Sequence, residues 1–348
     1  MTAATAALAA RRLLEDGLLG ETLTVVWHAG EPLVLPVMHF EEAFAAIADA
    51  VGSRCEVKHA IQTNATLIDD DWCSFFARHQ VKVGVSVDGP AEIHDRYRRT
   101  RGDRETHAAV MKGLAALRRN GISHHAIAVV TAFSLDKVDA IHDFFRNVGI
   151  HEVGFNFDEA EGAHAASSIS DREADHRAFV EKMLGHMIHS RGQFQVRELV
   201  HSFQLIAGGA PTYRWRGKTL PDNGQTVPFA LVNVAWNGDF STFSPELLGQ
   251  PSIEYSNFII GNVHREGYLE AASREPFFRI WDEVRRGVDS CRTTCPYFTY
   301  CGGGAPANKQ YENGSMNSVE TLYCRTMIQT PFEAALSSIE AGRPIAAP

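Results

Sequence analysis

Two hydrophobic periods alternate along the first 158 residues of the chain. Ala6, Ala10, Leu13 and Leu14 recur at helical spacing within 2–17, so the chain opens on an amphipathic helix. Short β-branched runs follow at 23–28, 57–63, 81–87, 126–131 and 153–157. Helical periodicity fills the intervals, at about 39–51, 69–79, 105–119 and 135–148. Strands separated by helices of this length predict parallel βαβ units, either an open sheet or a barrel. Because a helix comes first, the sheet is expected to lack the strand that should precede residue 23.

After residue 158 the alternation stops. A small-residue stretch, 159–168, reads as a linker, and helices follow at about 171–190 and 197–207. The glycine-rich stretch 208–217 and the turn-like Pro221-Asp222-Asn223-Gly224 mark a boundary. Residues 229–240 read as two strands joined through Asn237-Gly238-Asp239, a hairpin signal. A helix near 268–286 leads to Cys291, and another closes the chain after Cys324. The pattern divides the chain into 1–158, 159–225 and 226–348.

Ligands of parallel α/β folds bind at the carboxyl ends of the strands. Those ends read His28-Ala29-Gly30-Glu31-Pro32, Thr63-Asn64, Ser86-Val87-Asp88-Gly89-Pro90, Thr131 and Asn156. Ordinary turns explain these residue types one by one. Small, polar and acidic residues recurring at the same end of successive strands point instead to a pocket for a polar small molecule.

The candidate metal chemistry lies elsewhere. Four of six cysteines, Cys291, Cys295, Cys301 and Cys324, fall in the last sixth of the chain, and three glycines follow Cys301. Thiolates so spaced can converge on one metal centre, and glycine lets backbone pass close to it. Spacing alone does not separate zinc from iron–sulfur, and a disulfide pair is the bland alternative. The formal charge of −9 disfavours nonspecific nucleic-acid or anionic-membrane binding. The run Arg96, Arg98, Arg99, Arg101 and Arg104 is a local basic patch or a solvated loop. Uncharged runs at 120–135 and 223–238 are too short and polar to span a bilayer. Charged residues at 11, 12, 15 and 16 interrupt the apolar core that a secretory signal needs. A cytoplasmic protein is the default, without nucleic-acid or membrane partners, and there cysteines serve metals or catalysis more often than disulfides. Cys55 and Cys73 read as buried structural thiols.

Taken in order, these elements resemble a known family. Trp27-His28-Ala29-Gly30-Glu31-Pro32 resembles the W-H-G-G-E-P element of radical S-adenosylmethionine (SAM) enzymes. Q-T-N-A-T-L at 62–67, S-V-D-G-P at 86–90 and H-D-R-Y-R at 94–98 follow in the order of the peptide- and protein-modifying branch. The quartet with Cys-Gly-Gly-Gly resembles the SPASM extension, a module for auxiliary [4Fe–4S] clusters. Segments 244–249, 295–301 and 308–314 most resemble the cyclophane-forming maturases of ribosomal peptides, the GrrM/OscB-like group. The resemblance implies an α/β fold: a partial (β/α)6 radical SAM barrel missing its first strand, plus a C-terminal SPASM-type auxiliary-cluster module.

It also implies site residues. Gly30 and Glu31 would contact the methionine amino group of SAM, since a carboxylate and backbone carbonyls can hold an ammonium. Ser86 and Arg98 match positions that hold the ribose or carboxylate, for which the arginine fork is suited. Asn64 and Asn156, at neighbouring strand ends, are further cofactor contacts. Cys291, Cys295, Cys301 and Cys324 match the ligands of the more distal auxiliary cluster, although the first gap is three residues rather than two. Ala29 replaces a family glycine, which requires a backbone compatible with a Cβ. Ala305 and Ser241-Thr242-Phe243 occupy the positions of further cysteines, so the nearer auxiliary cluster is expected to be absent. The C-x3-C-x2-C loop for the SAM-cleaving [4Fe–4S] cluster is missing, and the first residues resemble the segment that follows it. Met1 is therefore expected to be an internal methionine.

The implied activity is maturation of a precursor peptide through a C–C crosslink, with an electron donor such as flavodoxin or ferredoxin, inactive as written without the loop. The alternatives are a non-catalytic peptide-binding relative and a different radical SAM modification, such as thioether formation. A zinc-ribbon protein would fit the cysteines alone. Glu246 is a candidate proton-handling residue, with turn duty as its competing role. Protein started at Met1 and purified anaerobically is expected to hold iron and sulfide, about one cluster per chain, and to leave SAM intact. Zinc without sulfide would defeat the cluster assignment, and SAM cleavage would defeat the reading of Met1.

Overall fold

The computed structural model describes residues 1–162, 164–215 and 218–343. Ala163 of the linker stretch, and Arg216 and Gly217 of the glycine-rich boundary, lie outside the described residues. Helix α1 (Ala3–Glu15) starts at Thr2, whose hydroxyl accepts from the Thr5 amide. Then come β1 (Thr22–Trp27), α2 (Val37–Val51), β2 (Glu56–Thr63), α3 (Asp70–His79), β3 (Lys82–Ser86) and α4 (Ala91–Tyr97). α5 (His107–Arg119), β4 (His124–Val130), α6 (Val138–Val148), β5 (Glu152–Phe157), α7 (Glu173–His189), β6 (Gln195–Val196) and α8 (Arg197–Gly208) complete the first part.

All six strands are parallel and neighbour one another in chain order, β1 through β6. The five strands expected from the pattern are present. β6 is additional: two residues running directly into α8 carry no period of their own. Ile61, Val83, Val85, Ala126, Ala128, Val153 and Phe155 meet the helices in the main core. Their neighbours in sequence face the other way, as strand alternation requires. There a Cβ on Gly84 would fall 2.1 Å from Gln62 Oε1 and 2.9 Å from His125 Nε2, so glycine makes room for a polar layer.

The second part differs from expectation in three places. A hairpin of β7 (Thr212–Trp215) and β8 (Lys218–Pro221) stands where a boundary was predicted. The Asn237-Gly238-Asp239 hairpin forms between β9 (Val232–Val234) and β10 (Asp239–Thr242), and β11 (Gly261–Asn262) joins the other side of β10. The helix expected at 268–286 is broken into α9 (Tyr268–Ala271) and α10 (Glu275–Thr294), with Pro276 in the first turn of the latter. Because α10 runs on to Thr294, Cys291 lies in its last turn, not beyond it. α11 (Phe298–Cys301), α12 (Pro306–Asn313), a π-helix at Cys324–Gln329 and α13 (Thr330–Glu340) finish the chain. Among the described residues no helix is long and apolar enough to cross a membrane.

Phe240, Phe243, Tyr268, Phe277 and Ile280 anchor a second core. Helix α1 joins it to the sheet. Ala6 and Ala10 pack with Ile47 and Val51 of α2, while Leu8, Ala9 and Leu13 pack against the second core. Asp16 Oδ2, just past α1, accepts from the amides of Tyr268 (2.6 Å) and Leu269 (3.2 Å) and so caps α9 from across the molecule. The Tyr268 hydroxyl donates back to the Ala9 carbonyl at 3.0 Å. Asp16→Ala is expected to cost about 1 kcal/mol of stability, read as a lower urea midpoint at unchanged slope. An unchanged midpoint would show that the cap contributes nothing.

Candidate functional site

The residues after β1 turn sharply. Ala29 (φ +70°) and Gly30 (φ +66°) are both left-handed and exposed. The backbone therefore does not suit a Cβ at residue 29, and Ala29 holds the family turn at a cost of about 1 kcal/mol. Glu31 follows and is fixed by its neighbours. Its Oε1 accepts from the Leu33 amide (2.9 Å) and the Thr63 hydroxyl (2.7 Å), and its Oε2 from the Asn64 amide (2.7 Å). Three bonds leave a carboxylate with spare acceptor capacity for an ammonium. The Asn64 carbonyl oxygen is used in its own turn, accepting from the amide and hydroxyl of Thr66, and so only its amide nitrogen is left for a ligand.

At the next strand ends the predicted residues are brought together with partners that the motif did not reveal. Ser86 Oγ accepts from Gln62 Nε2 at 2.9 Å. Arg98, at the end of α4, grips Asp88 through Nε (2.6 Å) and Nη2 (2.9 Å). Asp88 is 5% exposed and also accepts from the Val129 amide at 2.8 Å. Two of the three Arg98 nitrogens are thus committed within the protein. Asn156 Oδ1 accepts from Arg197 Nη2 (3.1 Å), and Arg197 pairs with the buried Glu198. A Cβ on Gly154 would sit 2.5 Å from the Arg197 guanidinium carbon, so glycine is what lets Arg197 lie across β5. Elsewhere in the basic run, Arg96 stacks over Phe133 at 4.3 Å and Arg99 pairs with Asp103. Cys73 is fully buried as expected, whereas Cys55 is only half-buried.

The four clustered cysteines sit on the end of α10 (Cys291), just after it (Cys295), on α11 (Cys301) and at the start of the π-helix (Cys324). Every sulfur has a donor. Lys309 Nζ donates to Cys291 Sγ at 3.3 Å and Thr321 Oγ1 to Cys324 Sγ at 3.2 Å. The Tyr297 amide serves Cys295, and the amides of Gly303 and Gly304 serve Cys301. Gly302, Gly303 and Gly304 all have positive φ, and a Cβ on Gly304 would meet Cys324 Sγ at 3.4 Å. Asn223 holds this loop by donating to the carbonyls of Cys301 (2.9 Å) and Gly304 (2.8 Å). Burial pushes the Cys301 thiol up to about 11 and raises Cys295 and Cys324 as well, so iron coordination would have to supply the deprotonation. Among the described residues no group of three or more His, Cys, Asp or Glu side chains is set to hold a single metal ion. A four-iron cube takes its thiolates at separate corners, and the ring of donors around these sulfurs fits it.

A cavity of about 470 Å³ lies at the β5–β6 edge of the sheet, lined by Glu152 at the start of β5, by Arg197, His201 and Gln204 of α8, and by Tyr323 and Met327 beside Cys324. Glu246, a candidate proton handler with turn duty as its competing role, is exposed in a single 3-10 turn, Pro245–Leu247, as that competing role requires. Glu159, which the sequence places in a featureless linker, is better built for that duty. It follows the end of β5, and its Oε2 accepts from Asn308 Nδ2 of α12 at 2.5 Å. Burial lifts its carboxyl to about 7, and the charges of Glu161, Glu312 and Glu246 push the same way. Only its position one residue past a strand-end aspartate could have signalled it.

Residues 6–145 match the radical SAM superfamily. An uncharacterised protein of Synechocystis sp. is 40% identical over 324 residues, 91% of this chain and 79% of its own. The serine-type anaerobic sulfatase-maturating enzyme of Bacteroides thetaiotaomicron is 24% identical over 292 residues, 81% of this chain and 69% of its own. Among solved structures, native anSMEcpe with bound AdoMet and Cp18Cys peptide superposes with a TM-score of 0.74 at 18% identity, over 98% of this chain and 90% of that one. Streptococcus suis SuiB bound to precursor peptide SuiA gives 0.61 at 16% identity, over 93% and 69%. At such identities the likeness to these structures is one of fold. The chain belongs to the radical SAM superfamily and is an enzyme of the radical SAM type. That family implies a [4Fe–4S] cluster and SAM as cofactors.

The Glu159 carboxyl carries a pH signature. Its folded value lies above the unfolded one, so it favours folding below the ordinary carboxylate range and loses that contribution as pH rises from about 4.5 to about 7. Glu159→Gln is accordingly expected to stabilise the protein by roughly 1 kcal/mol at pH 8, allowing for solvent screening of a half-buried group. The gain should shrink as pH falls toward 5. Denaturant titrations of both proteins across that range check it, and a pH-independent difference would contradict the assignment.

Proposed function

We propose that the protein is a maturase of a ribosomally synthesised precursor peptide that forms a C–C (cyclophane) crosslink between two side chains. The observation that carries this reading is one cluster of cysteines among the described residues, tied to the end of β5 through adjacent residues of α12: Asn308 donates to Glu159 and Lys309 to Cys291 Sγ. Ala305 and the stretch Ser241-Thr242-Phe243, in the region where further cysteines would stand, are buried, and Phe243 stacks on Trp281 at 5.8 Å. A packed aromatic core in place of a second cluster leaves one auxiliary centre, enough for a reaction that discards one electron. SuiB, similar in fold, binds a precursor peptide, which supports a peptide partner here.

The C-x3-C-x2-C ligands of the SAM-cleaving cluster are absent from this sequence; where they are supplied, SAM and that cluster would provide a radical that takes a side-chain hydrogen atom, and an auxiliary cluster held by Cys291, Cys295, Cys301 and Cys324 would take the electron left once the carbon radical has joined an aromatic ring. The chain's own residues do the rest. Glu31 and the carbonyls beside it hold the methionine ammonium, and Ser86, Arg98, Asn64 and Asn156 frame the remainder of SAM. Glu159, ionised above about pH 7 and held by Asn308, accepts the proton that the ring must lose to regain aromaticity. Glu246 lies at the rim of the same acidic group. A flavodoxin or ferredoxin would supply the reducing electron. The sulfatase-maturating relative favours one competitor, side-chain oxidation without a crosslink.

The test is expression from the native locus together with the small open reading frames that adjoin it. A peptide lighter by two hydrogens, with no backbone fragments between the two joined residues, is the expected product. A lighter peptide that fragments at every residue would favour side-chain oxidation, and unaltered peptides would overturn the maturase reading. Glu159→Gln should slow crosslinking by about 10²-fold without loss of iron.

A further inference from the structure

We propose that Lys309 is a positioning residue for the auxiliary centre, a buried ammonium whose charge raises the reduction potential of a cluster held by Cys291, Cys295, Cys301 and Cys324. The inference rests on reading that quartet as a cluster site. Lys309 is 2% exposed, among the most buried large side chains of the protein. An ammonium so placed is costly unless it has an anionic partner. Among the described residues its hydrogen-bond partner is Cys291 Sγ, at 3.3 Å, and no carboxylate forms an ion pair with it. The protein has made space for this contact. Gly287 stands one turn before Cys291 on α10, and a Cβ there would fall 3.1 Å from Lys309 Nζ and 2.2 Å from the Met316 carbonyl. Further along the stem, Lys309 Cε lies 3.6 Å from the Cβ position of Gly304, which itself borders Cys324. The side chain thus threads between two of the four sulfurs.

A fixed positive charge beside a cluster favours whichever state holds one more electron, since hydrogen bonds and charges at the sulfurs set the potential. A cluster held by these cysteines would be the more easily reduced by one electron, which the ring radical of the proposed crosslinking reaction would supply. The neighbouring residue does the complementary task. Asn308 donates to Glu159, the proposed proton acceptor, so consecutive residues of α12 address the proton and the electron. The Ala307 amide donates to the buried Ser244 hydroxyl at 3.2 Å and fixes the register of that turn.

Full-length protein is purified anaerobically as wild type, Lys309→Met, Lys309→Gln and Lys309→Arg. Iron and sulfide are assayed first, and the auxiliary cluster is then titrated potentiometrically with detection by electron paramagnetic resonance. The expected result is full iron and sulfide in all four, with the reduction equilibrium of the Met and Gln variants shifted at least tenfold toward the oxidised form, about 59 mV for one electron. Lys309→Arg should hold the wild-type potential. Unchanged potentials in Met and Gln variants with full clusters would overturn the proposal. Loss of iron in both would overturn it in favour of a role in assembling the cluster. Wild-type protein with zinc or without sulfide would reject the cluster reading itself, and the proposal with it.

Discussion

Backbone amides at the carboxyl end of a parallel sheet run out of ladder partners, and buried donors must be satisfied. This chain meets that constraint with acids that reach across to a neighbouring strand. Glu31 leaves β1 and takes the amide of Asn64 after β2, Asp88 leaves β3 and takes that of Val129 in β4, and Glu198 on α8 takes that of Phe155 in β5. Each such knot places a carboxylate against the sheet, and the sign has to be balanced. Asp88 has Arg98 and Glu198 has Arg197. Among the described residues Glu31 has no such cation, which makes it the natural complement of the ammonium of the proposed SAM ligand.

The same residues show what could be read in advance. The alternation of periods two and 3.6 exposed the βα units because each element is long enough to repeat. β6 was not legible, because two residues carry no period, and α10 was cut short at 286 because its last turn is polar. Glu31, Ser86 and the cysteines stood out by type and spacing. Arg197 and Glu198 did not, since their roles depend on side chains that meet across the sheet, and Glu198 finds its amide 43 residues away. Lys309 sits in the polar run N-K-Q-Y-E-N-G, where a lysine is ordinarily solvated. Its burial follows from Gly287, more than twenty residues earlier and unremarkable in sequence. Asn223 read only as a turn residue, although its side chain holds two carbonyls of the cysteine loop.

The second part of the fold turns that local geometry into a division of labour. Helix α12 faces the carboxylate beside β5 with one residue and the thiol of Cys291 with the next. Tyr323, immediately before Cys324, lines the cavity on the sheet edge. The π-helix that begins at Cys324 widens the turn at that junction, a distortion that recurs at functional sites. The end of β5 and the thiols are therefore joined through α12, although Glu159 and Asn308 lie 149 residues apart in sequence.

The cap that Asp16 gives to α9 spans 252 residues. At a synthesis rate of about 5–20 residues per second, α1 leaves the ribosome roughly ten to fifty seconds before its partner exists. Through that interval Leu8, Ala9 and Leu13 have no second core to cover them. The face of α1 that carries them is therefore covered on that side only once the second part has been made.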